Sequence, residues 1–600
     1  FGLGAGISVG VFVARLWKVV RRILAAKPDA HFSLAPISGR VREFVVDVVL
    51  QAKVVRNRPL VGLAHAFVFW GFCAFGLVSV NHFALGFGHP FLSSDSWYFS
   101  LAAVFAWTVI VSISGLAVRR FVARPRWLGE VSWESGGIAL LILTLMLSYL
   151  AGLRSDSAAI WWVHTAALLI FLPLVPHTKH LHLLLGPVAV FLSRGSFAAI
   201  PPLAGDEDFG LDTGKDITRL VALQAYSCVE CGRCMEHCPA QATGKGLNPK
   251  TIALGFRGYL NDFGPTSDEP LLGKHLSQEA AFECTTCGAC ESQCPVGVEH
   301  LPLIVGLRRG AVNTGKWEDD YGTKLFLSLE KKGNALGMSA MERDKFVAEQ
   351  QFPIFDGSQE YCLWLGCMGA YDPRGREIVT AFARVMEHLG TTYGVLKKEK
   401  CTGDPARRLG NDLVFGELAS QNLTTLESAG VKKIVSICPH CVRTIAKDWA
   451  EYGPSPEIEH HSEFMARHNN KLPHSGDSSI VFHDPCYLGR YRGAYDEPRA
   501  VIAKSGEVVE PARSRERSFC CGAGGGLAFL GEETGDRVSH TRAKELVATG
   551  ASVVGAACPF CNSMFRDALT AVSEAPPKLL DIAQIAAASL PPKVTIPPPQ

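Results

Sequence analysis

Two adjacent cysteines followed by a glycine-rich run are the most unusual feature of the sequence. Residues 519–526 read FCCGAGGG, so Cys520 and Cys521 are neighbours in the chain. Neighbouring Cα atoms are too close for a relaxed disulfide. A simple tetrahedral metal site prefers ligands that are two or more residues apart. The remaining cysteines indicate what kind of site would need both thiols.

The cysteine content favours metal sites. The 600-residue chain has 19 cysteines, and all except Cys73 lie after residue 227, in tight clusters. Clustered Cys-x-x-Cys in a large protein favours metal over disulfides, and hence a reducing compartment for that part. The formal net charge of +2 gives no basic bias that would indicate a nucleic-acid partner.

Two copies of a ferredoxin motif occur in the middle of the chain. Residues 228–239 read CVECGRCMEHCP and residues 284–295 read CTTCGACESQCP, both Cys-x2-Cys-x2-Cys-x3-Cys-Pro. This spacing is typical of two [4Fe–4S] cubanes, in which the fourth cysteine of each motif binds the other cluster, and it does not match a zinc ribbon. The first cubane is therefore assigned Cys228, Cys231, Cys234 and Cys294, and the second Cys284, Cys287, Cys290 and Cys238.

The C-terminal part of the chain contains an internal repeat. The spacing from Cys367 to Cys401 equals the spacing from Cys486 to Cys520, and a Cys-Pro-x-Cys sequence follows in each copy. Apolar runs alternate with helical stretches, which predicts an α/β fold for each copy with cysteines at strand ends and helix starts. The first copy offers Cys367, Cys401, Cys438 and Cys441, and the second offers Cys486, Cys520, Cys521, Cys558 and Cys561.

These cysteines resemble the CCG-domain family, found in heterodisulfide reductase catalytic subunits and in iron–sulfur subunits of glycolate, lactate and glycerol-3-phosphate oxidoreductases. In heterodisulfide reductase such a motif holds a non-cubane [4Fe–4S] cluster on five cysteines. The resemblance implies one such catalytic cluster in the second copy, with glycines that let the backbone pass close to it. In the first copy Thr402 replaces one cysteine of the pair, so we expect at most a four-thiolate site there, or none.

The first 195 residues predict a membrane domain. Basic residues concentrate in 20–58 and 119–126, whereas the loops 88–96 and 154–158 hold only Arg154. The positive-inside rule then predicts a multi-pass protein of the inner (cytoplasmic) membrane, with everything after residue 195 in the cytoplasm. Because the chain opens inside an apolar run, we expect the true N-terminus to be missing or processed. Five segments are apolar enough to span a bilayer, near 2–19, 61–87, 97–118, 136–153 and 159–176.

Histidines within these spans predict two b haems. His65 and His82 lie in the second segment, and His164 and His182 lie on the fifth, which we expect to continue as one helix towards Phe191. Antiparallel packing would pair His65 with His182 and His82 with His164 at two depths, about 26 Å apart. Intramembrane histidines are costly and indicate function.

The stretch from Thr178 to His182, with Pro187 following, resembles the second-haem signature of the cytochrome b subunit of respiratory nitrate reductase. This resemblance implies His182 as the ligand over His177 and His180. The spacing between His65 and His82 is wider than is usual in that family.

The sequence therefore predicts a multidomain protein: an all-α transmembrane five-helix bundle, an α-helical two-cluster ferredoxin-like domain and a duplicated α/β CCG domain. The predicted boundaries are 1–195 for the di-haem bundle, 196–222 for a linker, 223–310 for the ferredoxin-like domain, 311–355 for a helical linker, 356–475 and 476–575 for the first and second CCG copies, and 576–600 for a proline-rich tail.

The whole architecture resembles membrane-bound heterodisulfide-reductase-like proteins that serve electron-transfer flavoprotein. This implies an oxidoreductase that passes electrons between that flavoprotein and membrane menaquinone or another quinone. No Gly-x-Gly-x-x-Gly follows a predicted strand, so we expect the flavin on the partner. Two alternatives stay open: a quinol-dependent heterodisulfide or sulfur-carrier trisulfide reductase, and an electron-wire component of a larger respiratory or photosynthetic complex.

Basic residues near the second CCG copy suggest where a soluble partner would dock. We expect a surface that steers an acidic partner towards the intact cysteine set. Its members would be Arg490, Arg492, Arg513, Arg515 and Arg517.

Overall fold

The structure of the protein is a computed structural model. It describes residues 1–591 apart from 94, 126–131, 475, 477 and 533, and only the backbone of Asn57. The last nine residues of the predicted tail, 592–600, and Arg126 of the predicted basic loop lie outside the described residues.

The N-terminal region is helical, and five of its helices are long and apolar enough to cross a membrane. They pack side by side, α4 against α5, α5 against α6, and α7 against both α1 and α6. Their apolar side chains face outwards as well as inwards, as expected for a bundle surrounded by lipid. The helices are α1 Gly2–Ala25, α2 Ile37–Glu43, α3 Ala52–Asn57, α4 Pro59–Gly86, α5 Trp97–Val118, α6 Trp133–Gly152, α7 Ala158–His177 and α8 His182–Phe191.

The expectation of one continuous helix from 159 towards Phe191 is wrong. Helix α7 ends at His177, and Thr178 has extended backbone angles. The Thr178 hydroxyl accepts a hydrogen bond from the His180 amide (3.2 Å), so Thr178 starts a new helical turn that leads into α8. Prolines within α7 remove backbone donors close to this break. His182 therefore stands at the start of its own helix.

Short helices and cysteine loops follow the bundle. Helix α9 packs on α1 and α8, which places this region against one end of the bundle. The ion pairs Arg58–Glu236 and Arg194–Glu299 cross the same junction. The helices are α9 Arg219–Ser227, α10 Arg233–Glu236, α11 Pro239–Ala242, α12 Pro249–Asp262, α13 Gln278–Phe282, α14 Ala289–Gln293, α15 His300–Asn313, α16 Asp320–Lys332 and α17 Ala340–Glu349.

Two four-stranded parallel sheets form the C-terminal part. Their strand orders, β2-β1-β3-β4 and β6-β5-β7-β8, are the same when the second is read as a repeat of the first. The first holds β1 Tyr361–Trp364, α18 Gly366–Tyr371, α19 Pro373–His388, β2 Tyr393–Gly394, α20 Asp404–Leu409, α21 Asp412–Ser428, β3 Lys433–Ser436, α22 Pro439–Lys447, β4 Glu457–His460 and α23 His461–Arg467. The second holds β5 Ser478–Phe482, α24 Gly489–Arg492, α25 Asp496–Ile502, β6 Gly506–Val509, α26 Val538–Val547, β7 Val553–Ala556, α27 Pro559–Val572, β8 Lys578–Asp581 and α28 Ile582–Ala588.

The parallel sheets explain how distant cysteines meet. Side chains that follow the carboxyl ends of neighbouring parallel strands lie in one crevice at the sheet edge. Cys438 follows β3 and caps α22, and Cys558 follows β7 and caps α27. Cys367 lies in α18 directly after β1, and Cys486 follows β5. Each copy therefore gathers its cysteines at one edge of its sheet.

Candidate metal centres

The ferredoxin motifs form two groups of four thiols, and each group takes its fourth member from the other motif. Cys294 lies beside Cys228 and Cys231, and Cys238 lies beside Cys284 and Cys287. Burial and the neighbouring thiols raise the pKa of Cys234 and of Cys290 well above the usual range. Buried thiols that oppose each other's ionisation are stabilised when a cation binds among them.

The two ferredoxin cysteine loops share one backbone conformation. Glu230 (φ 58°) and Thr286 (φ 47°) are non-glycine residues in the left-handed region, and each precedes the second cysteine of a Cys-x-x-Cys turn. The left-handed turn directs backbone amides towards sulfur, as the Thr286 amide does towards Cys284 Sγ (3.3 Å). Such amides stabilise cluster sulfurs. The sequence predicted the cysteine sets but not this strain.

The second CCG copy gathers its five cysteines in a buried group. The Cys561 thiol points to Cys521 Sγ (3.2 Å), and Cys558 contacts Cys561. Cys520 lies within hydrogen-bonding reach of Cys521, of Cys486 and of Cys287 from the ferredoxin region. All five are at most 8% exposed. The adjacent pair therefore connects its own domain to a neighbouring thiol set.

Close backbone packing holds this junction together. A Cβ on Gly525 would overlap the carbonyl oxygen of Cys284, and one on Gly524 would overlap that of Thr285. The Arg308 guanidinium, fully buried, donates to the carbonyl oxygens of Cys284 (2.7 Å) and Gly525 (3.0 Å). The glycine run was expected to pass close to a cluster, and this stays a prediction. In the structure, Gly524 and Gly525 pass close to the ferredoxin loop that carries Cys284.

The first CCG copy brings its four cysteines together too. Cys367 contacts Cys401, and Cys441 contacts Cys438, so the four thiols form one buried group. Thr402 is buried and its carbonyl oxygen accepts from Trp449 Nε1 (3.0 Å). The number of thiols fits a four-ligand site, which is one of the two alternatives that the sequence left open for this copy.

A histidine of the first copy reaches into the second. His440, from the Cys-Pro-His-Cys sequence, contacts Cys558 and pairs with Asp404 (3.0 Å). Its ring stacks on Tyr487 with centroids 3.8 Å apart. Although burial opposes its charge, Asp404 and Cys558 raise the pKa of His440 well above its usual value. Sequence reasoning missed this contact, because His440 lies in the degenerate copy.

The predicted docking arginines are already paired. Arg490 is partly buried and donates to the carbonyl oxygens of Cys287 (2.8 Å) and Ser518 (2.8 Å). Its charge is therefore engaged at the junction, and its role on a steering surface stays a prediction. Ion pairs join Arg492 to Glu463, Arg513 to Glu545 and Arg515 to Asp496. Arg517 also has an interaction in the structure.

A cavity of about 900 Å³ runs through the helical bundle. His65, His180 and His182 line it at the ferredoxin side, and His164 lines it further along. The ferredoxin loop residue Cys231 closes it from outside the bundle. The remaining lining is mostly apolar, with Phe and Leu side chains of α4 and α7. The volume and the donors suit large planar groups held by imidazoles.

Hydrogen bonds at Nδ1 fix the rings of two of the four predicted histidines. The Nδ1 atom of His182 donates to the Lys179 carbonyl oxygen (2.8 Å). The Nδ1 atom of His164 donates to the Ser148 hydroxyl (2.8 Å), which itself donates to Thr144. Both rings keep Nε2 for a ligand, as is typical of metal-bound histidines. His65 Nδ1 is buried without a partner among the described residues.

His82 is placed differently. Its Nε2 atom bonds to the Thr165 hydroxyl (2.8 Å), which donates to the Trp161 carbonyl oxygen. Its ring centroid lies 4.9 Å from that of His164. Metal–nitrogen bonds of about 2 Å need two opposed ring nitrogens about 4 Å apart. Such an arrangement places the two ring centroids about 6 Å apart. A haem between His82 and His164 therefore requires the rings to move apart and His82 Nε2 to leave the Thr165 hydroxyl, and this pairing stays a prediction.

The folds and thiol groups define the class of the protein, an iron–sulfur oxidoreductase. Residues 361–446 and 480–566 match the model of the cysteine-rich CCG domain, and residues 224–298 match the 4Fe-4S dicluster domain. The resemblance to heterodisulfide-reductase-like iron–sulfur proteins is thereby confirmed.

Full-length relatives identify the family. The chain is 30% identical to the EtfAB:quinone oxidoreductase of Syntrophomonas wolfei over 96% of its own length and 94% of that protein. It is 35% identical to the probable iron-sulfur-binding oxidoreductase FadF of Bacillus subtilis, over 77% of this chain and 74% of the relative. It is 30% identical to one chain of the dihydromethanophenazine:CoB–CoM heterodisulfide reductase of Methanosarcina mazei, over 60% of this chain and 92% of the relative. The chain belongs to this family of iron–sulfur oxidoreductases.

Proposed function

We propose that the protein passes electrons from a soluble electron-transfer flavoprotein to menaquinone or another membrane quinone. The observation that carries this proposal is an unbroken series of donor groups from the second CCG copy to the bundle cavity. The series runs through Cys521, Cys520, Cys287, the two ferredoxin thiol groups, Cys231 and the cavity with His65 and His182.

The first step of the path lies between the second CCG copy and the ferredoxin region. Cys520 approaches Cys287, and both belong to predicted cluster sites. Arg490 places a partly buried positive charge next to Cys287, Cys486 and Cys520. This charge would stabilise the added negative charge of a reduced state at either site. When bound, the clusters supply one-electron carriers, and the chain's own side chains set their spacing and potential.

The second step connects the ferredoxin region to the bundle. Cys231 and Arg233 line the same cavity as His65 and His182. The Arg58–Glu236 ion pair fixes helix α10, which carries Cys234, to the start of α4, which carries His65. Two b haems in the cavity, one at His65 and His182 and one at His164 with His82, would carry electrons across the bundle. The quinone would react at the bundle.

The identity of donor and acceptor rests on the relative named EtfAB:quinone oxidoreductase, which this chain matches over nearly its whole length. The basic loops on the ferredoxin side of the bundle support the cytoplasm as the site of the iron–sulfur domains. The first CCG copy could hold a further four-thiolate cluster at Cys367, Cys401, Cys438 and Cys441.

Reduction of a heterodisulfide or trisulfide is the second candidate, because one relative belongs to a heterodisulfide reductase. A disulfide substrate must reach cluster iron directly. Cys558 is fully buried, and Cys520 and Cys521 are each 3% exposed. Burial suits electron transfer through the protein and disfavours direct attack on a bulky substrate. An electron-wire component of a larger complex, the third candidate, would share the same path.

Purified protein in lipid vesicles, supplied with its reduced flavoprotein partner and a menaquinone, tests the proposal. We expect the wild-type protein to reduce quinone and the Cys486→Ser variant to lose this activity, since Cys486 belongs to the second CCG copy, where electrons from the flavoprotein would enter. The same preparation should still show haem reduction by added quinol. Quinol-driven heterodisulfide reduction without flavoprotein-dependent quinone reduction would instead support the second candidate. Isolation in fixed stoichiometry with a respiratory complex would support the third.

A further inference from the structure

A buried histidine faces the cysteine group of the second CCG copy. His483 follows β5 directly, three residues before Cys486, and is 1% exposed. One of its ring nitrogens lies within 4.8 Å of the sulfurs of Cys521 and Cys561. Its Nε2 atom has no hydrogen-bond partner among the described residues. A buried polar atom without a partner is costly and indicates a missing group.

The hydrogen bond at the other ring nitrogen, Nδ1, determines which nitrogen of His483 carries the proton. Arg542 Nε donates to His483 Nδ1 (3.2 Å). A guanidinium has donors and no acceptor, so Nδ1 must accept and the ring proton must lie on Nε2. Arg542 is fully buried and is itself held by Glu545 (2.8 Å) and by the Arg513 carbonyl oxygen (2.9 Å). His483 therefore carries its proton on Nε2, the ring nitrogen that has no partner among the described residues.

We propose that His483 is a positioning residue that donates a hydrogen bond from Nε2 to a sulfur of the cluster in the second CCG copy. It is not an iron ligand. The inference rests on the cluster that the proposed function places there. A donor to sulfur stabilises the reduced, more negative state, so His483 raises the reduction potential of this cluster.

The first CCG copy carries an equivalent arrangement, which supports the inference independently. Trp364 also lies three residues before the first cysteine of its copy, Cys367, and it ends β1. Its Nε1 atom is buried without a partner among the described residues. Gly366 separates this ring from Cys441 Sγ, because a Cβ there would lie 3.1 Å from the sulfur and 4.0 Å from Nε1. An indole N–H can only donate. Both copies thus place a buried N–H group without a partner among the described residues three positions before their first cysteine.

Potentiometric titration of the purified full-length protein, followed by electron paramagnetic resonance, tests the proposal with two variants. His483→Leu removes the donor, and His483→Gln returns an amide N–H near the position of Nε2. We expect His483→Leu to keep its iron content. Its equilibrium constant for one-electron reduction of this cluster should fall about tenfold, which lowers the reduction potential by ~59 mV. His483→Gln should restore most of the shift. An unchanged potential in His483→Leu, or loss of iron from it, overturns the proposal.

The wild-type protein gives a test that does not depend on folding of a variant. Electron–nuclear double resonance after exchange into deuterated water should show an exchangeable proton coupled to the cluster. Protein labelled with ¹⁵N-histidine should lack the strong coupling of a directly bound nitrogen, and finding that coupling would overturn the proposal. Absence of any cluster signal from the second CCG copy would overturn the proposed function as well. A normal signal without the exchangeable proton would overturn the role of His483 alone.

Discussion

At the scale of single residues, the adjacent cysteines are explained by their contacts. Their thiols lie within hydrogen-bonding reach of each other, so the pair forms one continuous link. Cys521 contacts Cys561 of its own domain, and Cys520 contacts Cys486 and, in the ferredoxin region, Cys287. The adjacent pair thus joins the buried group of the second CCG copy to the ferredoxin region.

Cys521→Thr should remove the cluster of the second CCG copy. A hydroxyl is a hard, un-ionised and poor ligand for iron among thiolates. We expect loss of that cluster's paramagnetic signal and of flavoprotein-driven quinone reduction, measured in the same preparation. Haem reduction by quinol should persist. Thr402→Ala in the first CCG copy is the matched control and should change neither. The reverse pattern would exchange the roles of the two copies.

At the scale of structural elements, the glycine run is a packing surface for the ferredoxin loop. Gly525→Ala should lower thermal stability and slow electron transfer between the two regions, because its Cβ would overlap the Cys284 carbonyl oxygen at φ +69°. Gly550→Ala is the control, since Gly550 has φ +72° and open space around its Cβ. The control should lower the free energy of unfolding by roughly 1 kcal/mol, because alanine is strained in the left-handed backbone conformation. Equal melting temperatures for the two variants would contradict the packing argument.

The fourth cysteine of each ferredoxin motif lies with the other motif's thiols. Its replacement should therefore affect the other motif's cluster and not the cluster of its own motif. Cys294 belongs to the second motif but lies with Cys228 and Cys231. Cys294→Ala should therefore disturb the cluster of the first motif, and Cys238→Ala that of the second. Mössbauer and paramagnetic resonance spectra of the two variants would distinguish these clusters. Loss of the second motif's own cluster in Cys294→Ala would refute the exchange.

At the scale of the whole molecule, the bundle and the ferredoxin region share one cavity. His182→Ala should remove about half of the bound haem, because His182 and His65 line the ferredoxin end of the cavity and His164 lies further along. Haem content is measured by the pyridine haemochrome spectrum. His177→Ala is the control, since His177 is exposed and bonds to the Pro173 carbonyl oxygen (2.7 Å). Retention of all haem in His182→Ala would show that the ligand set is wrong.

The sequence by itself determined the chemistry-bearing residues and the kinds of element that carry them. Cysteine spacing predicted the metal groups, and apolar length predicted five membrane-capable helices, because both are local properties of the chain. The predicted helix through His182 failed locally, since Thr178 can cap a new turn as readily as extend the old one.

The tertiary structure alone decided which groups meet. Three contacts join residues that are distant in the chain: Cys520 with Cys287, His440 with Cys558, and Arg490 with the Cys287 carbonyl oxygen. His483 was visible in the sequence three residues before Cys486, yet its importance depends on Arg542 from another helix. Such contacts are set by how sheets and loops pack, which no local pattern of residues encodes.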